Sequence, residues 1–329
     1  MSDSEEVIGI VGTGSFGIAL AFLLGNAGRQ VLLWSPEEAA IKEINKDRKG
    51  SCMPDLELAK EVQATSDPDE FAKRTRFLVV ASSSGDVRNH LSLLGNSLTG
   101  IHMAVHDVGA FCSPDDQRVS QVIAQETAVL RTGVLAGPSM ASFIAAGRGT
   151  SLLCASEFDE VTSECRRLLA VPPRLRLYRG RDLIGAELAA ALSMSYTISI
   201  GLADSIKVGI GVRAVLITRA IAEMARLGAG MGAQAKTFWG LAGLGNLLVR
   251  TSVEGDAVAP SYRMGMELGA GTKADSAAEP FRATLAAVRL ARQCSLHLPV
   301  LETTARVLQG ELDASQAATE LLAVVTEEE

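Results

Sequence analysis

The sequence predicts an α/β fold, in which a doubly wound parallel sheet forms the first domain and helices alone form the second. Two observations predict this. Before residue 182, short runs of β-branched residues alternate with segments of helical periodicity, which is typical of a parallel sheet covered by helices. From residue 182 onward, long apolar periodicity with many small residues replaces this alternation. At 329 residues the chain can form two domains, each with its own core, and we place them at residues 1–181 and 182–329.

Seven strands are predicted in the first domain: five short β-branched runs that alternate with amphipathic segments, and two further candidates near its end. They are residues 7–12, 30–34, 76–82, 101–107, 132–137, 151–156 and 174–180. Residues 157–172, between the last two strands, have a helical period. The second domain is expected to be helical, with non-helical interruptions at residues 227–246 and 254–265.

Composition argues against several classes of protein. The net charge of −7 gives no support to a nucleic-acid partner. The five cysteines are odd in number and never spaced as CxxC, which is typical of a reduced, cytoplasmic protein without a bound metal. The polar, acidic N-terminus does not resemble a signal peptide. The apolar stretch at residues 188–203 is expected to be too short for a membrane span and to form a buried helix.

A glycine motif, GTGSFG, directly follows the first predicted strand. Gly12 allows a tight turn off the strand, Gly14 allows the backbone to approach a pyrophosphate, and Gly17 allows the following helix to pack closely. Ser15 and Phe16 lie where the N-terminus of that helix faces the phosphates. Because strands are predicted on both sides of this motif and its helix, the sequence predicts a Rossmann-type dinucleotide site.

The nicotinamide cofactor is predicted from the end of the second strand. Dinucleotide sites of this type place an acidic residue near this point for the ribose of NAD, or an arginine for the phosphate of NADP. Here Ser35 is at the tip, and Glu37 either contacts the ribose or begins the next helix. No arginine is at the tip. NAD is therefore the predicted cofactor, with NADP as the alternative.

Further segments follow the glycine motif in a recognisable order: AGPSMASFIAAGRGTSLLCAS, DLIGAELAAAL, TFWGLAGLGNL, GMELGAG and LPVLETTARVLQGELDASQAATELL. Together they resemble the NAD(P)-dependent glycerol-3-phosphate dehydrogenase family, from Val7 to about Val324. The resemblance implies a Rossmann domain, a helical substrate and dimerisation domain, a homodimer, and interconversion of dihydroxyacetone phosphate and glycerol 3-phosphate. It also implies that Ala141 and Glu279 lie near the cofactor.

The same resemblance identifies where the family carries its catalytic groups, and this chain has other residues there. Ser193 and Met194 replace a lysine and an asparagine, and Asn246 replaces an aspartate. Hydride transfer to a ketone builds negative charge on its oxygen, so a cationic acid is needed beside it. Serine carries no charge and is a far weaker acid near neutral pH. Loss of this group alone predicts a rate lower by about 10²- to 10⁴-fold.

The remaining replacements concern the substrate phosphate and a second lysine. Pro260 and Ser261 take the positions of the family's Arg-Asn pair, and Arg250 takes that of a threonine. The loop lysine falls on His106 or, with a shifted gap, on Val108. His106 could donate a proton, or it could be a loop histidine that is solvated or hydrogen-bonded locally. Arg250 could hold a carboxylate or phosphate, or it could be a surface arginine.

These replacements are concentrated at the predicted substrate site, while the dinucleotide motif is intact. The sequence therefore predicts little or no activity on dihydroxyacetone phosphate. Two hypotheses are left open. In the first, the protein is a divergent oxidoreductase whose site takes another small molecule, for which an anion is a candidate. In the second, it is a catalytically inactive dinucleotide-binding protein with a structural or regulatory role.

Overall fold

The computed structural model describes residues 6–253 and 258–323 of the chain. The chain divides into two compact units. The sheet unit comprises Met1–Val108 and Cys112–Leu183, and the helical unit comprises Gly109–Phe111 and Ile184–Glu329. The short segment Gly109–Phe111 therefore belongs to the helical unit, although it begins only three residues after the end of a strand of the sheet unit at His106.

The sheet unit contains one sheet of eight strands. Their bounds in chain order are β1 Val7–Val11, β2 Gln30–Trp34, β3 Val62–Thr65, β4 Thr75–Val80, β5 Met103–His106, β6 Arg131–Ala136, β7 Thr150–Ala155 and β8 Leu175–Gly180. Across the sheet they lie in the order β3-β2-β1-β4-β5-β6-β7-β8. The first six follow the strand order of a dinucleotide-binding fold, with a switch point between β1 and β4. The predicted α/β class is confirmed.

Two features of the sheet differ from the sequence-based prediction. Strand β3 was not predicted, because its four residues, VQAT, are too short to show an alternating pattern. It forms through parallel pairing with β2, in which Val31 opposes Val62. The sheet is also not wholly parallel. Strand β7 runs antiparallel to β6 and parallel to β8, so the last two strands point opposite to the rest.

Helices cover both faces of the sheet, as expected for a doubly wound fold. Two separate clusters of buried apolar side chains flank the strands, one including Ile18 and Leu20 and the other including Trp34 and Phe71. The helices of this unit are α1 Ser15–Asn26, α2 Glu38–Lys42, α3 Pro68–Arg74, α4 Val87–Leu94, α5 Val119–Glu126, α6 Ala141–Ala145 and α7 Asp159–Leu169, with a π-helical turn at Glu43–Asp47. Helix α7 lies within the segment predicted to be helical.

The helical unit contains eight α-helices within the described residues. They are α8 Leu183–Ser205, α9 Ile210–Gly230, α10 Ala235–Phe238, α11 Asn246–Arg250, α12 Pro260–Gly269, α13 Glu279–Gln293, α14 Pro299–Leu308 and α15 Ala314–Ala323, with a π-helical turn at Leu241–Gly245. Both predicted interruptions are partly wrong. The first contains the end of α9, all of α10 and the π-helical turn, and the second contains the start of α12. Residues 254–257 of the second lie outside the described residues.

Helix α8 is longer than its apolar stretch suggested. It has 23 residues, and an 18-residue window within it has a mean hydropathy of 1.4, so length and composition alone would allow it to cross a membrane. The stretch at residues 188–203 forms a helix, as expected, and that helix is longer than the stretch itself. However, 89% of that window is buried within the protein, as in a core helix. Small residues contribute to this packing, since a Cβ at Gly201 would collide with the carbonyl oxygen of Tyr262 on α12.

Candidate functional site

The glycine motif forms a sharp turn between β1 and α1. Gly12 has a φ of +106°, a conformation that side chains disfavour. A Cβ at this position would lie 2.9 Å from the carbonyl oxygen of Ala81 and from Oγ of Ser82. At Gly17 a Cβ would lie 2.7 Å from the carbonyl oxygen of Gly12. Both glycines are therefore required by the turn itself.

Gly14 differs from the other two glycines of the motif. It is exposed, and a Cβ there would approach only the carbonyl oxygen of Ala81, at an ordinary contact distance of 3.5 Å. Helix α1 begins at Ser15 with no side-chain hydrogen bond at its N-cap and no acidic residue in its first turn. Its first N–H groups and its dipole are thus available to an anion. This arrangement fits a dinucleotide pyrophosphate, which Gly14, Ser15 and Phe16 would hold through backbone N–H groups.

Just after the end of β2 lie the two residues that the sequence predicts near the ribose, Ser35 and Glu37. Ser35 is buried, and its hydroxyl accepts a hydrogen bond from the backbone N–H of Glu37 at 3.2 Å. Ser35 therefore shapes the turn into α2. Glu37 is exposed at the N-cap of that helix, and the neighbouring Glu38 forms an ion pair with Lys42 at 3.5 Å. Binding of the ribose by Ser35 or Glu37 stays a prediction.

A polar pair, the buried Ser82 and the half-buried His90, lies next to the glycine turn at residues 12–17, which we call the dinucleotide cradle. Oγ of Ser82, the atom next to Gly12, donates to the carbonyl oxygen of Val11 at 3.2 Å and lies 2.8 Å from Nδ1 of His90. The His90 ring packs edge-on against Trp34, with centroids 5.7 Å apart. Burial lowers the pKa of His90. Sequence patterns did not reveal this role, because the two residues are eight positions apart and neither belongs to a motif.

Two further residues were predicted to lie near the cofactor by resemblance. Ala141 is the first residue of α6 and is half-buried, just after the turn at Pro138, whose carbonyl oxygen accepts from Oγ1 of Thr150 at 2.8 Å. Glu279 is the first residue of α13 in the helical unit and is half-buried. Their contact with a cofactor stays a prediction.

The two candidate positions for the loop lysine are both buried. His106 is the last residue of β5 and has no exposed surface, and Val108 is 7% exposed and packs in an apolar cluster with Cys112. The alternative of a solvated loop histidine is therefore wrong for His106, because the strand continues to that residue. Neither side chain presents a polar atom to solvent where a substrate could meet it.

Ser193 lies in the middle of α8 with no exposed surface. Its hydroxyl donates to the carbonyl oxygen of Ala189, one turn earlier, at 2.6 Å. This bond is typical of a serine inside a helix, and it engages the one proton that the hydroxyl can donate. Met194, the next residue, packs with Ala110 and Ala283. The segment after β5 thus contacts α8 and α13 at this point of the helical unit.

Asn246 and Arg250 are linked directly. Asn246 is the first residue of α11 and is only 2% exposed, and its Oδ1 accepts a hydrogen bond from Nε of the half-buried Arg250 at 3.0 Å. The other end of the guanidinium lies near the segment after β5, since a Cβ at Gly109 would be 3.8 Å from Nη2 of Arg250 and 3.5 Å from the carbonyl oxygen of Ala190. The structure therefore brings Arg250, Asn246 and the helix of Ser193 to one region of the helical unit.

Pro260 and Ser261 form the start of α12. Pro260 has no N–H, and Ser261 is 1% exposed. Oγ of Ser261 has no hydrogen-bond partner within the described part of the chain. A proline and a buried serine cannot supply the charged, two-pronged contact that an arginine gives to a phosphate.

A polar network surrounds Asp204, which no sequence motif singled out. Its Oδ2 accepts from Oη of Tyr262 at 2.8 Å and from Nε of Arg213 at 3.0 Å, and Nη2 of Arg213 also donates to the carbonyl oxygen of Thr251 at 2.8 Å. Burial and the hydrogen bond to Asp204 raise the pKa of Tyr262 to about 12. The network fixes the ends of α8, α9, α11 and α12 relative to one another.

Glu223 is a second polar residue whose role the sequence did not reveal. Glu223 lies four residues after Arg219, a spacing that by itself favours an ion pair on one helix face. In the structure Glu223 is 6% exposed, and its carboxylate accepts from Oη of Tyr196 at 2.9 Å and from the N–H groups of Val300 and Leu301 at 2.8 and 3.1 Å. It thus caps the N-terminus of α14 from a different helix. Burial raises the pKa of Glu223.

Comparison with known proteins identifies the family of this arrangement. The model of the N-terminal part of NAD-dependent glycerol-3-phosphate dehydrogenase matches residues 7–162, and the model of its C-terminal part matches residues 182–319. The chain belongs to this family. The prediction of a nicotinamide dinucleotide as cofactor is thereby confirmed, because the family uses NAD or NADP. The first matched range contains the whole glycine motif.

Relatives match the chain over almost its full length. A glycerol-3-phosphate dehydrogenase [NAD(P)+] of Geobacter sulfurreducens is 35% identical over 97% of both chains, and one of Aeromonas salmonicida is 32% identical over 97% of both. Among solved structures, glycerol-3-phosphate dehydrogenase of Coxiella burnetii matches with a TM-score of 0.89 and 27% identity, covering 97% of this chain and 99% of that one. The likeness thus includes both units.

Proposed function

We propose that this member of the family binds NAD(P) but has a substrate site altered so far that it has little or no activity on dihydroxyacetone phosphate. The observation that carries the proposal is the hydrogen bond between Asn246 and Arg250. By resemblance, these two positions hold an aspartate and a threonine in the family. Here an uncharged amide accepts from a guanidinium, so the region has lost a carboxylate and gained a cation.

The proton that a reduced carbonyl oxygen needs has no donor at the family's position. A bound NAD(P)H would supply the hydride, and the protein must protonate or stabilise the oxygen that becomes negative. Ser193 is uncharged, buried and already donates to Ala189. With Asn246 in place of an aspartate, a lysine restored at 193 would also lack its orienting carboxylate. The site is therefore unsuited to dihydroxyacetone phosphate for two reasons: it lacks the acid, and it lacks the carboxylate that would orient one.

Arg250 is the residue that we assign to substrate recognition. A guanidinium binds a carboxylate or phosphate through two parallel N–H groups, and Nε of Arg250 is already fixed by Asn246. We propose that the preferred substrate is a small anionic carbonyl compound other than dihydroxyacetone phosphate, with a ketoacid as the first candidate. Arg250 would bind its carboxylate, NAD(P)H would supply the hydride, and solvent water would supply the proton to the carbonyl oxygen.

A screen of carbonyl compounds with NADH and NADPH tests this function. Ketoacids, ketoses and their phosphates are supplied to the purified protein, and oxidation of the nicotinamide is followed by absorbance. We expect turnover with an anionic compound and its loss in Arg250→Ala, with NADH binding retained. Turnover that is unchanged in Arg250→Ala contradicts the assigned role of this arginine.

A second candidate function is a dinucleotide-binding protein without catalysis. The buried, internally bonded Ser193 favours it, because no cationic acid stands at that position. Under this alternative NADH binds and no compound of the screen is turned over. In either case we expect a cytoplasmic homodimer that prefers NAD over NADP, with a dimer mass in light scattering.

A further inference from the structure

Strand β8 forms one end of the sheet, and arginines are concentrated around it. Between residues 166 and 181 the chain has six arginines and no acidic residue, although its net charge is −7. The segment includes the end of α7, the connection that follows and all of β8. A surface of this kind is positive within a negative protein, so it attracts anions locally.

Part of this positive charge is neutralised by neighbouring carboxylates. Arg167 forms an ion pair with Glu164 at 2.5 Å. Arg181 forms one with Asp159 at 2.6 Å, and Arg179 shares that same carboxylate at 3.6 Å. These contacts lie along α7 and the end of β8, and they account for three of the six arginines.

The other three arginines are Arg166, Arg174 and Arg176. All are exposed, and none forms an ion pair or a side-chain hydrogen bond with another residue in the described ranges. Exposed arginines are common at protein surfaces and by themselves indicate no ligand. Their position relative to a cavity is what distinguishes them.

A cavity of about 480 Å³ lies between the end of α7 and β8. Its volume is within the range of about 300–1,000 Å³ that is typical of small-molecule sites. Arg166 and Arg176 line it, and Arg174 does not. The complete lining is Arg166, Ala170, Pro172 and the four residues Arg176, Leu177, Tyr178 and Arg179, with no acidic side chain among them.

We propose that this cavity binds a phosphate-bearing small molecule, at a site separate from the dinucleotide cradle. Two unpaired guanidiniums facing one cavity repel each other, and an anion between them would remove that repulsion. Guanidinium groups match the geometry of phosphate oxygens, which they bind through paired N–H groups. Tyr178, which is 51% exposed, adds an aromatic face on which a nucleotide base could stack. The site is independent of the proposed function.

Calorimetric titration with inorganic pyrophosphate tests the site. We expect Gly14→Val, in which the dinucleotide cradle cannot take up pyrophosphate, to bind it, and the same protein with Arg166→Ala/Arg176→Ala to bind it at least about 100-fold more weakly, because each charge-assisted contact is worth about tenfold or more. Arg174→Ala is the matched control, since it removes an unpaired arginine of the same segment outside the cavity lining. Added to Gly14→Val, it should leave pyrophosphate binding unchanged. Circular dichroism confirms that each variant is folded.

Gly14→Val separates this cavity from the dinucleotide cradle. A valine there fills the space next to α1 and leaves the cavity unchanged, so pyrophosphate binding should persist. Loss of binding in Gly14→Val, equal weakening in Arg174→Ala, or no binding of pyrophosphate at millimolar concentration would overturn the proposal. Binding of an acidic peptide without binding of pyrophosphate would also overturn it, in favour of a protein-docking surface.

A second titration distinguishes the two sources of phosphate. ADP is compared with pyrophosphate in the Gly14→Val variant, in which the cradle cannot bind it. Tighter binding of ADP that is lost in Tyr178→Leu identifies a nucleotide as the ligand. Equal binding of both identifies a free oligophosphate. Each result supports the site, and failure of both ligands to bind contradicts it.

Discussion

Replacement of Gly14 by valine should remove dinucleotide binding while the fold is retained. Gly14 is exposed, its backbone is extended, with φ −69° and ψ 174°, and a Cβ would meet only one atom, at 3.5 Å. The expected cost in stability is about 1 kcal/mol, because valine is a poorer N-cap than glycine. The side chain would occupy the space that the pyrophosphate needs against the N-terminus of α1.

The expected loss of NADH affinity follows from the contacts that are blocked. Two charge-assisted hydrogen bonds from backbone N–H groups are worth about 1.5–3 kcal/mol each. Losing both weakens binding by more than about 100-fold, from a dissociation constant expected in the micromolar range. Calorimetric titration with NADH measures the affinity, and thermal unfolding measures the stability of the same sample.

Two other glycine variants make this experiment specific. Gly211→Val is the matched control, because Gly211 is exposed in the first turn of α9 and a Cβ there would have no atom within 4 Å. It should bind NADH normally. Gly17→Ala should instead lower stability by about 1–3 kcal/mol, since its Cβ would overlap a backbone oxygen. Normal NADH binding by Gly14→Val would refute the assignment of the cradle.

Three further predictions concern the helical unit. Ser193→Lys alone should give no activity on dihydroxyacetone phosphate, whereas Ser193→Lys with Asn246→Asp should give trace NADH oxidation; activity of the single variant would contradict the need for a carboxylate. Glu223→Ala leaves three buried donors without an acceptor and should cost about 3 kcal/mol in urea denaturation; a cost below about 1 kcal/mol would contradict the capping role. Because burial raises the pKa of Glu223 in the folded protein, the part of the stability that is linked to its protonation is fully present below its ordinary pKa of 4.5 and is lost as pH rises through the raised value. Glu223→Gln should therefore flatten this part of the pH–stability profile.

The parts of the fold that the sequence predicted are those with a strong local signal. Strands β1, β2 and β4 are long apolar runs, and the glycine motif has fixed spacing, so both were found. Strand β3 forms because β2 offers it a partner, and the direction of β7 depends on β6 and β8. Such tertiary effects leave no periodic pattern in a short segment.

The sequence predicted which residues occupy the candidate site but not the contacts between them. Resemblance located Ser193, Asn246 and Arg250, and the structure adds that Arg250 donates to Asn246 while Ser193 donates to its own helix. Neither contact follows from residue type. The networks around Asp204 and Glu223 join residues far apart in the chain, so no spacing rule could have predicted them.

The proposed function combines two properties: this protein binds a nicotinamide dinucleotide, and it does not reduce dihydroxyacetone phosphate at an appreciable rate. The decisive measurement is NADH oxidation by dihydroxyacetone phosphate, on protein for which calorimetry has established NADH binding. We expect a rate that is undetectable or at least about 10²- to 10⁴-fold below that of a family member with the lysine and aspartate in place, because the acid is lost. Robust oxidation of NADH by the unmodified protein would contradict the proposed function.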